Sequence, residues 1–305
     1  MRKFGFLFPG QGSQTIGMGK DLYDHFPWVK EVYDQAESLL GFPLKEISFS
    51  GPEEKIRQTI YTQPVLFVHS SVLSRALLEK GVEAVCAAGH SLGEFSALAS
   101  AGAFSFEEGL KLVSQRAGLM QKAGEKGPGT MAAVIGLKAD IVMEICMEAR
   151  EQGIVQPANY NSPQQVVISG SREGVEKAMA LCEARGAKRV VELNVSGAFH
   201  SQLMAHVMEE FGTVLEKVSL SMPRIPVYAN VTAKPYTGSG EIRTLLHHQL
   251  THPVRWVETI GNMIEQGVET FIEVGAGKVL SGLVRRINRD VDVLACGTLD
   301  DLNRL

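Results

Sequence analysis

The 305-residue chain has little cysteine and no excess of positive charge, and each shortage excludes something. Its four cysteines, Cys86, Cys146, Cys182 and Cys296, form no close pair, so neither a zinc site nor a disulfide framework is indicated. That usage suits a reducing compartment, and a cytoplasmic protein is expected. The formal net charge of −4 gives no basic field for nucleic acid or an anionic membrane. No stretch approaches the roughly 18 apolar residues of a membrane span. The opening "MRKFGFLFPGQ" is not read as a signal peptide, because its apolar run stops at Pro-Gly. What remains, 45% hydrophobic and 21% charged, is ordinary globular composition.

Alternation of strand-like and helix-like stretches predicts an α/β fold. "FGFLF" reads as a short buried strand closed by the turn "PGQGSQ". "TQPVLFVHSSVLSRALLEKG" reads as a helix with Pro64 in its first turn and Gly81 at its end. "AVCAAG" is a strand, and "SLGEFSALASAG" the helix after it. "SFEEGLKLVSQRAGLMQKAG" is a further helix, with Ser105 and Glu108 at capping-box spacing. "GEKGPGT", residues 124–130, reads as a linker. After it, strand, helix, two strands, helix and strand follow in the order βαββαβ, which is the ferredoxin-like pattern. "IPVYANV", "TFIEVG" and "VDVLACG" then read as strands of a resumed α/β unit. The expected organisation is a large domain of residues 1–126 and 199–305 interrupted by a small domain of residues 127–198. A ligand cleft is expected between them.

Gly89-His90-Ser91-Leu92-Gly93 fits G-x-S-x-G between a predicted strand and a predicted helix. In that context Ser91 is a candidate nucleophile, and the Leu92 N–H a candidate oxyanion donor. A helix N-cap is the competing use of such a serine. A second donor is expected from the Gln11 N–H in "PGQGSQ". A Rossmann phosphate loop there fails on spacing, since position 15 is Thr.

A serine needs a base, and the chain has eight histidines. His90 adjoins the serine too closely to reach its hydroxyl. His69 and His206 fall in helical patterns, and His25 sits in a predicted loop. His247, His248 and His252 lack a usual zinc spacing. His200, in "NVSGAFHSQLM", lies at a strand end where the small domain returns to the large one, and is the best placed. No carboxylate between Ser91 and His200 stands out as a third member. A backbone carbonyl could orient the imidazole instead.

Arg116 is out of place. At about 100° per residue it falls between Leu112 and Met120, inside the apolar arc of its helix. A guanidinium there either snorkels, pairs with a structural carboxylate, or awaits an anionic substrate.

"FPGQGSQ", "TQP" at 62–64, "GHSLGE", "QRAGLMQ", "GTMAAVIGL", "NYNSPQQVVISG", "GAFHS" and "QLTHPVRW" occur in this order. Together they resemble the malonyl-CoA:acyl carrier protein transacylase family, nearly end to end. The resemblance implies an α/β-hydrolase-like large domain with an inserted ferredoxin-like small domain. It implies Ser91 as nucleophile, His200 as base and Arg116 as the malonyl carboxylate ligand. It also implies Gln11 and Leu92 as oxyanion donors, Gln63 as a pocket residue, and Gln249 as the residue whose backbone carbonyl orients the histidine. Phe199 goes with malonyl rather than methylmalonyl units. The implied partners are malonyl-CoA and acyl carrier protein, with no metal or other cofactor, and a monomer is expected. Lys188 and Arg189, or Arg285, Arg286 and Arg289, are candidate carrier-docking residues. A serine hydrolase or thioesterase using the same nucleophile is the alternative.

Overall fold

A computed structural model describes residues 3–127 and 129–305. Met1 and Arg2, and Pro128 of the expected linker, lie outside the described residues. The first part of the chain forms β1 (Phe4–Phe8), α1 (Lys20–His25), α2 (Pro27–Leu40), α3 (Leu44–Phe49), α4 (Glu53–Ile56), α5 (Thr59–Glu79), β2 (Ala84–Gly89), α6 (Leu92–Ser100) and α7 (Phe106–Lys126). The middle forms β3 (Gly129–Ile135), α8 (Ala139–Ala149), β4 (Val155–Ser162), β5 (Gln165–Ser171), α9 (Arg172–Ala184) and β6 (Arg189–Glu192). A 3-10 turn (Gln202–Val207) leads into α10 (Met208–Glu216), β7 (Val227–Tyr228), α11 (Ser239–His248), α12 (Trp256–Glu265), β8 (Thr270–Val274), α13 (Val279–Ile287), β9 (Asp292–Cys296) and α14 (Leu299–Arg304).

Two sheets organise these elements. The larger is five-stranded in the order β7-β2-β1-β8-β9, with every pairing parallel. Its central strands β1 and β8 are almost wholly buried, as in a parallel sheet covered on both faces, whereas β9 at the edge alternates between exposed and buried residues. The smaller is antiparallel, in the order β4-β5-β3-β6. On β3 the side chains alternate: Ala132 and Val134 pack beneath α8 and α9, whereas Met131 and Ala133 join the main core. The small unit is also stitched to the segment before α12 by backbone. Tyr160 N–H donates to Val254 O at 2.9 Å, and Val254 N–H to Ala158 O at 2.8 Å.

Four details differ from the sequence expectation. α5 begins at Thr59, so Pro64 lies inside the helix rather than in its first turn. It removes one donor, while burial of Val65, Leu66, Phe67, Val68, Val72 and Leu73 holds the helix together. α7 runs into the expected linker as far as Lys126, and β3 takes up its last two residues, Gly129 and Thr130. Gly124 is needed there as a helical glycine, because a Cβ would sit 1.7 Å from Ser196 O where the returning chain crosses. "IPVYANV" pairs over only Val227–Tyr228 before turning away, and His25 closes α1 rather than sitting in a loop. The Ser105–Glu108 capping box is present. Among the described residues, no helix is long and apolar enough to cross a membrane.

Candidate active site

Ser91 is held at a sharp turn between β2 and α6. Its backbone is at φ 52°, ψ −104°, and among the described residues only Ser91, His200 and Ala233 are non-glycine residues with positive φ. Such conformations cost on the order of 1–3 kcal/mol and persist only where the surroundings hold them. The flanking glycines permit the turn: a Cβ on Gly93 would lie 1.9 Å from Phe8 O, and one on Gly89 1.9 Å from the Gly93 carbonyl. Asn230, after β7, braces it from below. Its Oδ1 accepts from the Ser91 N–H at 2.8 Å and its Nδ2 donates to Gly89 O at 2.6 Å.

Ser91 occupies the N-cap position, but its side chain makes no capping bond. The hydroxyl instead faces His200, with Oγ to Nε2 at 2.8 Å. His200 is 3% exposed, and its Nδ1 lies 2.7 Å from the main-chain carbonyl of Gln249. That carbonyl can only accept, so Nδ1 carries the proton and Nε2 is the free base. Burial, reinforced by the Arg116 charge, pushes His200 down to about 3. The ring is therefore neutral at physiological pH and available to take a proton. The carbonyl fills the place of the missing acid.

Of the other histidines, His90 turns away from the serine and meets Asn161 Oδ1 of the small unit at 2.8 Å. His69 is buried in α5 against Gly297 O. His247 caps Met208 O, and His248 stacks on His252 with centroids 5.3 Å apart.

Arg116 is fully buried and does not snorkel. Its Nη1 donates to Gln63 Oε1 at 2.8 Å, and its Nη2 to Gln249 Oε1 at 2.7 Å and to Ser91 Oγ at 3.1 Å. Its carbon lies 5.1 Å from the centre of the Phe95 ring. Among the described residues it pairs with no carboxylate, and its Nε has no partner. Burial lowers it to about 9, with the Glu94 carboxylate opposing, so it remains a cation at neutral pH. Gln63 therefore touches the guanidinium, and Gln249 serves both His200 and Arg116.

Leu92 opens α6, where N–H groups have no intrahelical acceptor. Gly10 packs against the elbow: a Cβ on it would lie 2.3 Å from His90 O and 3.8 Å from the Leu92 N. That sets Gln11, the next residue, beside the same turn. The Ser91 N–H is already committed to Asn230. Phe199 is 6% exposed in the main core, just before His200. Lys188 and Arg189 are exposed on the small unit, outside this cluster of side chains. Arg189 pairs with Ile135, which also pairs with Gln165, and Arg286 donates to Gln165 Oε1 at 3.0 Å. Arg189 and Arg286 are thus both placed toward the end of the antiparallel sheet that holds Ile135 and Gln165.

Asn230, Glu94, Tyr236 and Gln156 escaped the sequence reading. Gln156 Nε2 donates to His200 O at 3.2 Å and to Thr251 O at 3.1 Å, tying the small unit to the histidine loop. Glu94 carried a usable signal: a carboxylate in a helix whose neighbours Leu92, Phe95, Ala97 and Leu98 are all buried.

The chain resembles known proteins over almost its whole length. The acyl transferase domain family matches residues 5–298. The malonyl CoA-acyl carrier protein transacylase of Bacillus subtilis (strain 168) is 43% identical over 296 residues, 97% of this chain and 93% of the relative. The solved malonyl CoA-acyl carrier protein transacylase of Coxiella burnetii superposes with a TM-score of 0.96 at 39% identity, covering 99% of this chain and 96% of that one. A malonyl-transacylase solved in complex with a type II PKS acyl-carrier protein gives 0.96 at 41%, covering 99% and 98%. The chain belongs to the acyl transferase family.

Proposed function

We propose that the protein transfers a malonyl group from malonyl-CoA to the phosphopantetheine thiol of acyl carrier protein, through a malonyl ester on Ser91. The observation that carries this is Arg116, a buried cation that has no carboxylate partner among the described residues and has Nη2 3.1 Å from Ser91 Oγ. A guanidinium so placed matches a second carboxylate on the acyl group in bidentate fashion. The relatives, malonyl CoA-acyl carrier protein transacylases, point the same way.

In the first half-reaction Ser91 Oγ attacks the thioester carbonyl while His200 Nε2 takes its proton. The Gln11 and Leu92 N–H groups receive the oxyanion; loss of one such donor typically costs about 10²–10³ in rate. The C–S bond breaks, and His200 returns the proton to the CoA thiolate. In the second half-reaction His200 deprotonates the carrier thiol, which attacks the malonyl ester and restores Ser91. Gln63 and Gln249 hold Arg116 against the malonyl carboxylate. Phe199 fills the space that an α-methyl would need. Lys188 and Arg189, with Arg286 nearby, offer an acidic carrier a basic surface.

The fold reading is a hydrolase-like large domain of residues 1–126 and 199–305 and a ferredoxin-like insert of residues 127–198. The parallel order of the large sheet and the βαββαβ order of the small one support it. Unpaired, buried cysteines suit a cytoplasmic setting. The test is a chase. Protein labelled with radioactive malonyl-CoA is separated and then given phosphopantetheinylated acyl carrier protein. Label is expected to move to the carrier. Label passing to water would make the protein a thioesterase, and no labelling would remove the ester intermediate.

A further inference from the structure

A serine–histidine pair usually has an acid behind it, and one stands here at one remove. Glu94 follows Ser91 by three residues, in the first turn of α6, and is 1% exposed. One of its oxygens accepts from the Asn230 N–H at 3.2 Å and from the Tyr236 hydroxyl; the other accepts from Gln249 Nε2 at 2.5 Å. The Asn230 N–H and the Gln249 NH₂ can only donate, and the Tyr236 hydroxyl donates as well, so the cradle suits a carboxylate. A carboxylic acid would have to turn its proton to the Tyr236 oxygen and give up the phenol's bond, or face a donor.

The Gln249 side chain lies between two opposite charges. Its Oε1 accepts from Arg116 Nη2 at 2.7 Å while its Nε2 serves Glu94. The same Nε2 also donates to Ser91 O at 3.0 Å, and the Gln249 main-chain carbonyl faces His200 Nδ1 at 2.7 Å. One residue thus joins the acid, the cation and the base. Its amide has only one orientation that puts oxygen on Arg116 and nitrogen on Glu94.

We propose that Glu94, as a carboxylate, is the positioning acid of this site: it fixes the Gln249 amide, and through Gln249 it holds Arg116 beside Ser91 and His200 in its basic tautomer. This rests on Ser91 being the nucleophile, as proposed above. Protonation of Glu94 costs the bond from the Tyr236 hydroxyl or sets O–H against the Gln249 N–H, and an amide in its place sets N–H against either the Asn230 N–H or the Gln249 NH₂. Either change loosens the hold on the Gln249 amide, and a flipped Gln249 turns its NH₂ on Arg116.

Burial pushes Glu94 up to about 7, against the Tyr236, Gln249 and Asn230 donors and the Arg116 charge. The groups facing it are Arg116 from α7, Gln249 after α11, and Asn230 and Tyr236 after β7. Of these, Arg116 carries charge and Tyr236 can titrate, but burial and the Glu94 carboxylate raise the phenol well above its ordinary value. His200, pushed to about 3, stays neutral through the same range. Serine reactivity should therefore fall as pH drops through about 7, because Glu94 takes up a proton.

The experiment follows two reactions of the full chain against pH: phosphonylation of Ser91 by a fluorophosphonate, and malonyl-enzyme formation from malonyl-CoA. In Glu94→Gln both should slow at least about tenfold at alkaline pH, the scale of one charge-assisted hydrogen bond, and the limb near neutrality should vanish. Tyr236→Phe keeps the carboxylate and removes a donor that lowers its pKa, so the limb should move to higher pH. A limb unchanged in Glu94→Gln, or unmoved in Tyr236→Phe, would overturn the proposal; Tyr236→Phe decides alone if Glu94→Gln does not fold. A wild-type protein that shows the phosphonate limb and its predicted shifts but never forms malonyl-enzyme would overturn the malonyl reading and leave Glu94 in place.

Discussion

The two sheets treat buried charge in opposite ways. In the small unit, Ala132, Val134, Val142, Ile145, Ile168 and their neighbours form an apolar layer between sheet and helices, and no charged residue of the described part of 129–192 is buried. The large unit buries Glu94, Arg116 and Glu273, together with the imidazoles of His69 and His200, which burial keeps neutral. Burying a charge is costly even when it is paired, so the asymmetry separates a layer that only folds from an interior that works. The small unit contributes polar groups where it meets the large one, through Gln156 to His200 O and Asn161 to His90.

That contrast can be broken by substitution, and the largest effect belongs in the large unit. Ser91→Ala should abolish the acyl-enzyme and lower transfer by on the order of 10⁶-fold, as for a serine that acts as one unit with its base, with the folded state retained. Intact-protein mass spectrometry after exposure to malonyl-CoA checks this. In the small unit the pattern should invert. Ile168 is fully buried, so Ile168→Ala should cost about 2–5 kcal/mol of stability, while activity per folded molecule stays within about twofold of wild type. Denaturant melts with active-site titration measure both. A large loss of specific activity there would mean that the two interiors are not separable in this way.

A smaller effect sharpens the contrast through pH. His200 is shifted from its ordinary 6.5 to about 3 by burial. The folded state then binds fewer protons than the unfolded state between those values, so its contribution is complete above 6.5 and is lost as pH falls toward 3. His200→Asn removes the group. Between about pH 7 and about pH 5 wild type should lose about 2 kcal/mol relative to the variant, read as converging or crossing denaturant midpoints. Midpoints that kept a constant separation would show that His200 is not buried and neutral.

How much of this could be read from sequence follows from what sequence patterns encode. Local rules carried the strands β1 and β2, the Ser105 capping box and the βαββαβ order, because propensity and periodicity act over neighbouring residues. The elbow was legible because G-x-S-x-G between strand and helix is a local signature. Arg116 was legible as a cation inside an apolar arc. The same logic applied to α6 would have singled out Glu94, a carboxylate among Leu92, Phe95, Ala97 and Leu98. Asn230 was not legible, since its bond to the Ser91 N–H spans 139 residues and nothing near it in the chain marks it. Pro64 misled because tertiary burial of α5 outweighs the hydrogen bond that proline removes. "GEKGPGT" misled because Gly124 answers a distant crossing by Ser196 and not a local need for a turn.

The central claim is that Arg116 makes Ser91 a station for an acyl group bearing its own carboxylate. Arg116→Ala tests it most directly, with the rates of malonyl-enzyme and acetyl-enzyme formation measured side by side from the two CoA thioesters. Two charge-assisted hydrogen bonds to the second carboxylate predict a malonyl rate lower by about 10²-fold or more, and an acetyl rate that falls far less, so that the preference for malonyl collapses. Equal losses for both acyl groups would contradict the claim and leave Arg116 a structural cation.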